Sequence, residues 1–150
     1  MFRAAIGNRY TGTAIGVLSG LTAGSALVFG ALYQKVPIYA PEFFGILVPL
    51  ALFGLIYDLR FRHLSGEPGR WRDTVTYWTL AYPIVRILYD LGLYFSTAAR
   101  GSAGSLPESF SYYAGPIEMF TWLVFQAMFG TAYGIGFLAL HRRLSKRPGG

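Results

Sequence analysis

Two opposite charges, Arg86 and Asp90, lie four residues apart inside a long apolar segment. Residues at this spacing share one face of a helix, so a guanidinium and a carboxylate placed there can pair. Arg86 follows Asp73, which marks the inner end of the segment, by 13 residues. That separation is about 20 Å along a helix rising 1.5 Å per residue. The spacing therefore predicts a charged pair in the outer half of a membrane.

Two interpretations of the Arg86–Asp90 pair are open. It is either a structural salt bridge that sets helix register, or part of a polar pocket that opens to the outer leaflet, because ionisable groups at that depth are costly and frequently functional. Loss of Asp90 would strand an arginine that cannot readily release its proton. We therefore expect the loss of Asp90 to harm folding more than the loss of Arg86.

Two further acids, Glu42 and Glu118, begin apolar segments that would enter the membrane from the same side. One base and three acids then share one leaflet. The excess of acid favours a cation, a proton or a hydrogen-bonding head group as the occupant of such a site. The alternative is that both glutamates extend to the interface and take no part in a site.

Aromatic residues recur at helical spacing along the last apolar segment, after Glu118. Such a stripe is ordinarily a packing surface, although one that begins with a carboxylate could line a path for a flat apolar ligand. The candidate lining residues are Tyr82, Trp122 and Gln126. No cofactor is predicted from this pattern, with a quinone, a pigment or a bound lipid as the alternatives.

Glycines recur every fourth residue in the first apolar segment. This glycine ridge consists of Gly12, Gly16, Gly20 and Gly24. Small residues on one helix face allow two backbones to approach closely. Gly130 and Gly134 form a matching flat patch in the last segment, which favours packing within the chain. Association with other membrane subunits, or self-association through the ridge, is the other interpretation.

The composition places these residues in a membrane. Of 150 residues, 53% are hydrophobic and only 13% charged, about half the charged share of a soluble domain. A spanning helix needs about 20 residues, and four segments approach this length. We predict an all-α, integral membrane four-helix transmembrane bundle, a single domain over residues 1–150 without a soluble domain, with spans at about 11–33, 41–58, 74–95 and 116–140.

Two of the four segments leave an alternative open. The second contains only 15 strictly uncharged residues, 43–57, so a re-entrant or interfacial segment is the alternative to a full span. The first follows Arg3 and Arg9, as a signal peptide would. Its apolar run of 23 residues is longer than the roughly 7–15 of a signal peptide, which favours a retained helix.

Basic residues predict the orientation of the spans. Ten of the 13 lie before the first segment, between the second and third, or after the fourth, whereas the other two loops carry only Lys35 and Arg100. Because positive loops stay inside, both termini are predicted to be cytoplasmic. Arginine outnumbers lysine eleven to two, which suggests a GC-rich bacterial genome and hence a bacterial inner membrane.

Several function classes are disfavoured. The chain has no cysteine, which excludes disulfide and thiolate chemistry, and neither His63 nor His141 lies inside an apolar run, as buried haem ligands would. We predict no metal site. The net charge of +6 is explained by charges that set topology beside anionic lipid, so membrane lipid rather than nucleic acid is the expected partner.

Three function classes remain. The first is a non-catalytic subunit or assembly partner of a larger membrane complex, favoured by small size and packing motifs. The second is a small oligomeric ion or solute transporter, or a channel, that uses the outer-leaflet charges. The third is a membrane-embedded enzyme acting on a lipid-soluble substrate, although no catalytic motif is present and the balance favours a protein that is not an enzyme.

Overall fold

Four long helices form the part of the chain that the computed structural model describes, which comprises residues 10–35, 40–61, 71–99, 113 and 115–145. The side chains of residues 40–42, 96–99 and 145 lie outside this description. The helices are α1 (Thr11–Gln34), α2 (Ala40–Arg60), α3 (Trp71–Ala99) and α4 (Pro116–Ser145). The prediction of an all-α four-helix bundle is confirmed.

Within the described residues, three segments are long and apolar enough to cross a membrane: Thr11–Gln34, Phe43–Arg60 and Pro116–Leu144. They indicate a multi-pass membrane protein. The segment in α2, which is short when only uncharged residues are counted, belongs to this group. α3 has the length, at 29 residues, but its charged residues and its hydroxyl groups lower its mean hydropathy and keep it outside the group.

The helices pack as two close pairs. α1 lies against α2, and α4 lies against α3, while α2 and α3 join the two pairs and α1 touches α4 less. Consecutive helices run antiparallel beside each other, since the residue contacts along each pair run in opposite chain directions. This arrangement places α3, which carries the charged pair, between α2 and α4.

The core is aromatic and lies toward the end where α1 and α3 begin. Trp78 is completely buried there, with the ring of Tyr133 4.6 Å and the ring of Phe137 4.9 Å from its own. The Tyr57 hydroxyl lies 2.7 Å from the Thr74 hydroxyl, which joins α2 to α3. The buried apolar cluster comprises Ile15, Leu50, Tyr57, Trp78, Ala81, Val85 and Phe137.

The glycine ridge faces α2 of the same chain. A Cβ atom at Gly20 would lie 2.8 Å from the Leu47 Cα, and one at Gly16 would meet the Leu50 carbonyl. At the two ends of the ridge, Gly12 faces Asp58 and Gly54, and Gly24 faces Phe43. Close backbone approach is what small residues at a helix interface permit.

The glycines of α4 do not meet the ridge. A Cβ at Gly130 would lie 2.8 Å from the Tyr82 Cβ, and one at Gly134 would lie 3.1 Å from the Trp78 Cβ, so both face α3. The two glycine sets thus belong to separate interfaces, α1–α2 and α3–α4. Both glycines therefore pack within the chain, as the sequence favours, but against α3, whose backbone at Val75, Trp78 and Thr79 approaches them closely.

Candidate functional site

Arg86 and Asp90 form an ion pair on α3. The distances are 3.2 Å from the arginine Nη2 to Oδ1 and 3.3 Å from its Nε to Oδ2. Asp90 is only 1% exposed, whereas the Arg86 side chain is 38% exposed. The pair is therefore asymmetric, with the carboxylate in the protein interior and the guanidinium at its surface. The guanidinium also lies over the Tyr89 ring, 5.2 Å from its centre.

Tyr113 supplies a second donor to the buried carboxylate from beyond the end of α3. Its hydroxyl donates a hydrogen bond of 3.1 Å to the Asp90 Oδ2. The Tyr113 ring packs against Trp122 of α4, with centroids 5.4 Å apart. Burial, followed by the charge and hydrogen bond of Asp90, raises the pKa of Tyr113 to about 12. Asp90 thus links α3 to the segment that leads into α4.

A groove of about 480 Å³ opens beside the exposed face of Arg86. We call it the Arg86 groove. One wall is Arg86 of α3 and the other is the aromatic stripe of α4. The α4 residues that line it are Ile117, Glu118, Thr121, Trp122, Phe125, Gln126 and Phe129. Phe125 and Phe129 are largely exposed, so the groove is open along its side.

The predicted site residues separate into those in this groove and those elsewhere. Arg86, Glu118, Trp122 and Gln126 line it, and Asp90 lies behind Arg86. Tyr82 instead packs between Gly130 and the ring of Tyr133, whose centroid is 5.9 Å away. The side chain of Glu42 lies outside the described residues.

Glu118 is exposed at the beginning of α4. Its carboxylate lies close over Gly115, the residue that accepts the first backbone hydrogen bond of the helix, from Met119, at 2.9 Å. An acid in the first turn is favourable because helix N-termini carry partial positive charge. The carboxylate thus lies at the rim of the Arg86 groove.

A second buried carboxylate, Asp58, lies at the opposite end of the bundle and was not among the predicted site residues. Its Oδ1 accepts the Gly12 N–H at 2.8 Å, and its Oδ2 accepts the Thr13 N–H at 2.6 Å and the Thr13 hydroxyl at 2.7 Å. The residue before α1, Tyr10, makes no side-chain capping bond. Asp58 of α2 therefore caps α1 from a neighbouring helix, satisfying donors that a helix leaves open.

The sequence contains a signal for this cap. The ridge begins at Gly12, the second residue of α1, where the absence of a side chain leaves room for a carboxylate from another helix to reach the N–H groups of Gly12 and Thr13. Gly54 completes the contact, since a Cβ there would lie 3.1 Å from the Thr13 Cα.

A further groove, of about 370 Å³, lies between α2 and α3 toward the Asp58 end. Arg60 and Asp73 lie on its walls together with Tyr77, whose hydroxyl donates a 2.6 Å hydrogen bond to the Phe53 carbonyl. Among the residues that the structure describes, no three His, Asp or Glu side chains gather closely enough to hold a metal ion.

Comparison with family models, with curated proteins and with solved structures finds no match for this chain.

Proposed function

We propose that the protein is a four-span inner-membrane protein, with both termini cytoplasmic, that works as a non-catalytic subunit of a larger membrane assembly. One observation carries this proposal: the two carboxylates that are buried within the described part of the chain both join separate parts of the bundle. Asp58 joins α2 to α1 through three hydrogen bonds. Asp90 joins α3 to Tyr113.

Hydroxyl groups support the same architectural role. The Thr79 hydroxyl lies 2.8 Å from that of Thr131, which joins α3 to α4. Tyr77 reaches the Phe53 carbonyl, and Tyr57 reaches Thr74, which joins α2 to α3 at two levels. Polar contacts between helices add geometric specificity in a bilayer, where lipid tails provide no hydrophobic drive for helices to associate.

The place of α3 in the bundle supports the proposal that this helix also crosses the membrane. Its charged pair faces Tyr113 and the Arg86 groove, and its buried face carries Trp78, Ala81 and Val85. Because α2 and α4 flank this helix, its polar residues need not meet hydrocarbon on all sides. Ionisable residues in transmembrane helices ordinarily face a bundle interior in this way.

Partner helices would contact faces other than the glycine ridge, which α2 covers. The outward sides of α1 and α4 carry large exposed apolar residues, including Leu21, Phe29 and Met128. In a membrane, these sides can contact lipid or another subunit. Both helices lie at the periphery of the bundle, so a neighbouring subunit could pack on either one without disturbing the α2–α3 contact.

Isolation of the tagged chain from its native membrane in a mild detergent tests the proposal. We expect unrelated membrane subunits to co-purify in fixed stoichiometry, with photo-crosslinks from a benzoylphenylalanine placed at Leu21 or Met128. Benzoylphenylalanine at the buried position Trp78 is the negative control, and it should give no crosslink to another subunit. A pure homo-oligomer would favour a transporter or channel, and a monomer carrying lipid would favour a lipid-active enzyme. Either result would overturn the subunit proposal.

A further inference from the structure

We propose that the Arg86 groove binds one phospholipid of the outer leaflet whose head group combines a phosphate with a primary ammonium group. The groove pairs a cation with an acid: Arg86 on its α3 wall and Glu118 at its rim. A head group of this class carries the complementary pair of charges. The exposed apolar side of the groove, formed by Phe125 and Phe129, would contact the acyl chains.

Arg86 has donors left for a phosphate. A guanidinium presents five N–H groups in a planar fork, and the contacts to Asp90 are made by only Nε and Nη2. Over a third of the side chain remains exposed, and that exposed part lines the groove. Arginine binds phosphate oxygens with strong, directional hydrogen bonds, and such an anion would compensate a guanidinium exposed beside hydrocarbon.

The groove residues follow the depth order of a phospholipid. The Thr79–Thr131 contact sets the register of the antiparallel helices α3 and α4. Along the two helices, from this contact toward the end of the bundle that contains Asp90, Arg86 is seven residues away and Glu118 is thirteen residues away. The backbone of Glu118 therefore lies about 9 Å farther out than that of Arg86. The Arg86 side chain reaches toward Asp90, which shortens this gap. Acyl chain, phosphate and ammonium would then meet Phe129, Arg86 and Glu118 in that order.

Glu118 determines which head group fits. A primary ammonium can donate a hydrogen bond to its carboxylate, whereas a trimethylammonium has no N–H to donate. An anionic glycerol head group would bring no positive charge to the carboxylate at all. We therefore expect phosphatidylethanolamine to bind more tightly than phosphatidylcholine or phosphatidylglycerol with the same acyl chains.

Native mass spectrometry of the purified full chain with these three lipids tests the selectivity. We expect phosphatidylethanolamine to be preferred over phosphatidylcholine roughly fivefold, a modest ratio because the Glu118 contact is exposed. Glu118→Gln should bring the ratio close to one, and Asp73→Asn, an exposed acid at the other groove, should leave it unchanged. Glu118 lies outside the core, so its replacement does not threaten folding.

Photo-crosslinking tests the location. Benzoylphenylalanine at Phe125, which is 55% exposed, should crosslink to phosphatidylethanolamine in preference to phosphatidylcholine. The matched control is Phe44 on α2, 53% exposed, beside Gly45, which faces Tyr89 at a similar level. This position should crosslink to both lipids equally.

Three results would overturn the proposal. The first is equal binding of the three lipids by the unaltered chain. The second is a selectivity that survives Glu118→Gln. The third is binding of soluble glycerophosphoethanolamine as tightly as the lipid, which would show that the groove takes a free phosphoester and not a membrane lipid.

Discussion

The Tyr113 hydroxyl donates a hydrogen bond to the Asp90 carboxylate across 23 residues of sequence. The same carboxylate is ion-paired with Arg86. Asp90 therefore has one charged and one neutral partner, which lie on different segments of the chain. This geometry makes the two single replacements of the charged pair unequal, and it makes the contact sensitive to alkaline pH.

Arg86→Gln should destabilise the fold more than Asp90→Asn. Burial decides the order, because Asp90 is 1% exposed whereas the guanidinium can turn into the groove. This is the reverse of the order expected from sequence. We expect a loss of about 3 kcal/mol in the free energy of unfolding for Arg86→Gln, the low end for stranding a buried charge. Denaturant titration in detergent or bicelles measures it.

The double variant, Arg86→Gln with Asp90→Asn, provides the control for this prediction. It should recover part of the loss, because neither charge is then stranded. Strictly additive losses in the double variant would show that the two side chains do not act as a unit.

Alkaline pH should weaken the contact of Tyr113 with Asp90. The pKa of Tyr113 is raised from an ordinary value near 10 to about 12, so its neutral form is the one that the fold stabilises. The stability it contributes is present below pH ~10 and is lost as the pH rises through ~12. As the pH rises through this range, the free energy of unfolding should decrease more steeply for the parent than for Tyr113→Phe. Parallel curves would contradict the contact.

Gly16→Ala should disrupt the α1–α2 contact, since the added methyl group would meet the Leu50 carbonyl. Overpacking of this kind costs about 1–3 kcal/mol. The matched control is Gly30→Ala on the same helix, where nothing lies within 4 Å of the added atom. Thermal unfolding should show a lower midpoint for the first variant and an unchanged or higher one for the second. Equal midpoints would show that the ridge is not in close contact.

Asp58→Asn should loosen the first turn of α1. The carboxylate accepts three hydrogen bonds through its two oxygens, whereas an amide has only one acceptor oxygen. The NH₂ group of the introduced amide would therefore face a backbone N–H of α1, and two donors would oppose each other. The expected cost is about 1.5–3 kcal/mol, the range for hydrogen bonds to a charged group. Hydrogen exchange at the amides of Gly12 and Thr13 should quicken, while exposed Asp73→Asn leaves it unchanged. Unaltered exchange would argue against the cap.

Helix count and approximate bounds were predictable from sequence, because long apolar runs and charged boundaries are local properties. The faces were predictable in part: Arg86, Glu118, Trp122 and Gln126 share one groove because helical spacing and antiparallel packing bring them together. Partners between helices were not predictable. Two contacts depend on tertiary packing, which the spacing of residues within one segment does not encode. They are the packing of α2 on the glycine ridge and the contact of Asp58 with the start of α1.

The proposed crossing of the membrane by α3 can be measured directly, because the chain contains no cysteine. Single cysteines at Ser65 and Ser102 would flank α3, with Ser145 as a reporter for the C-terminus. In intact cells, we predict that an impermeant thiol reagent labels the cysteine at position 102 and leaves those at 65 and 145 unlabelled until the cells are opened. Equal accessibility of positions 65 and 102 would contradict a membrane-spanning α3.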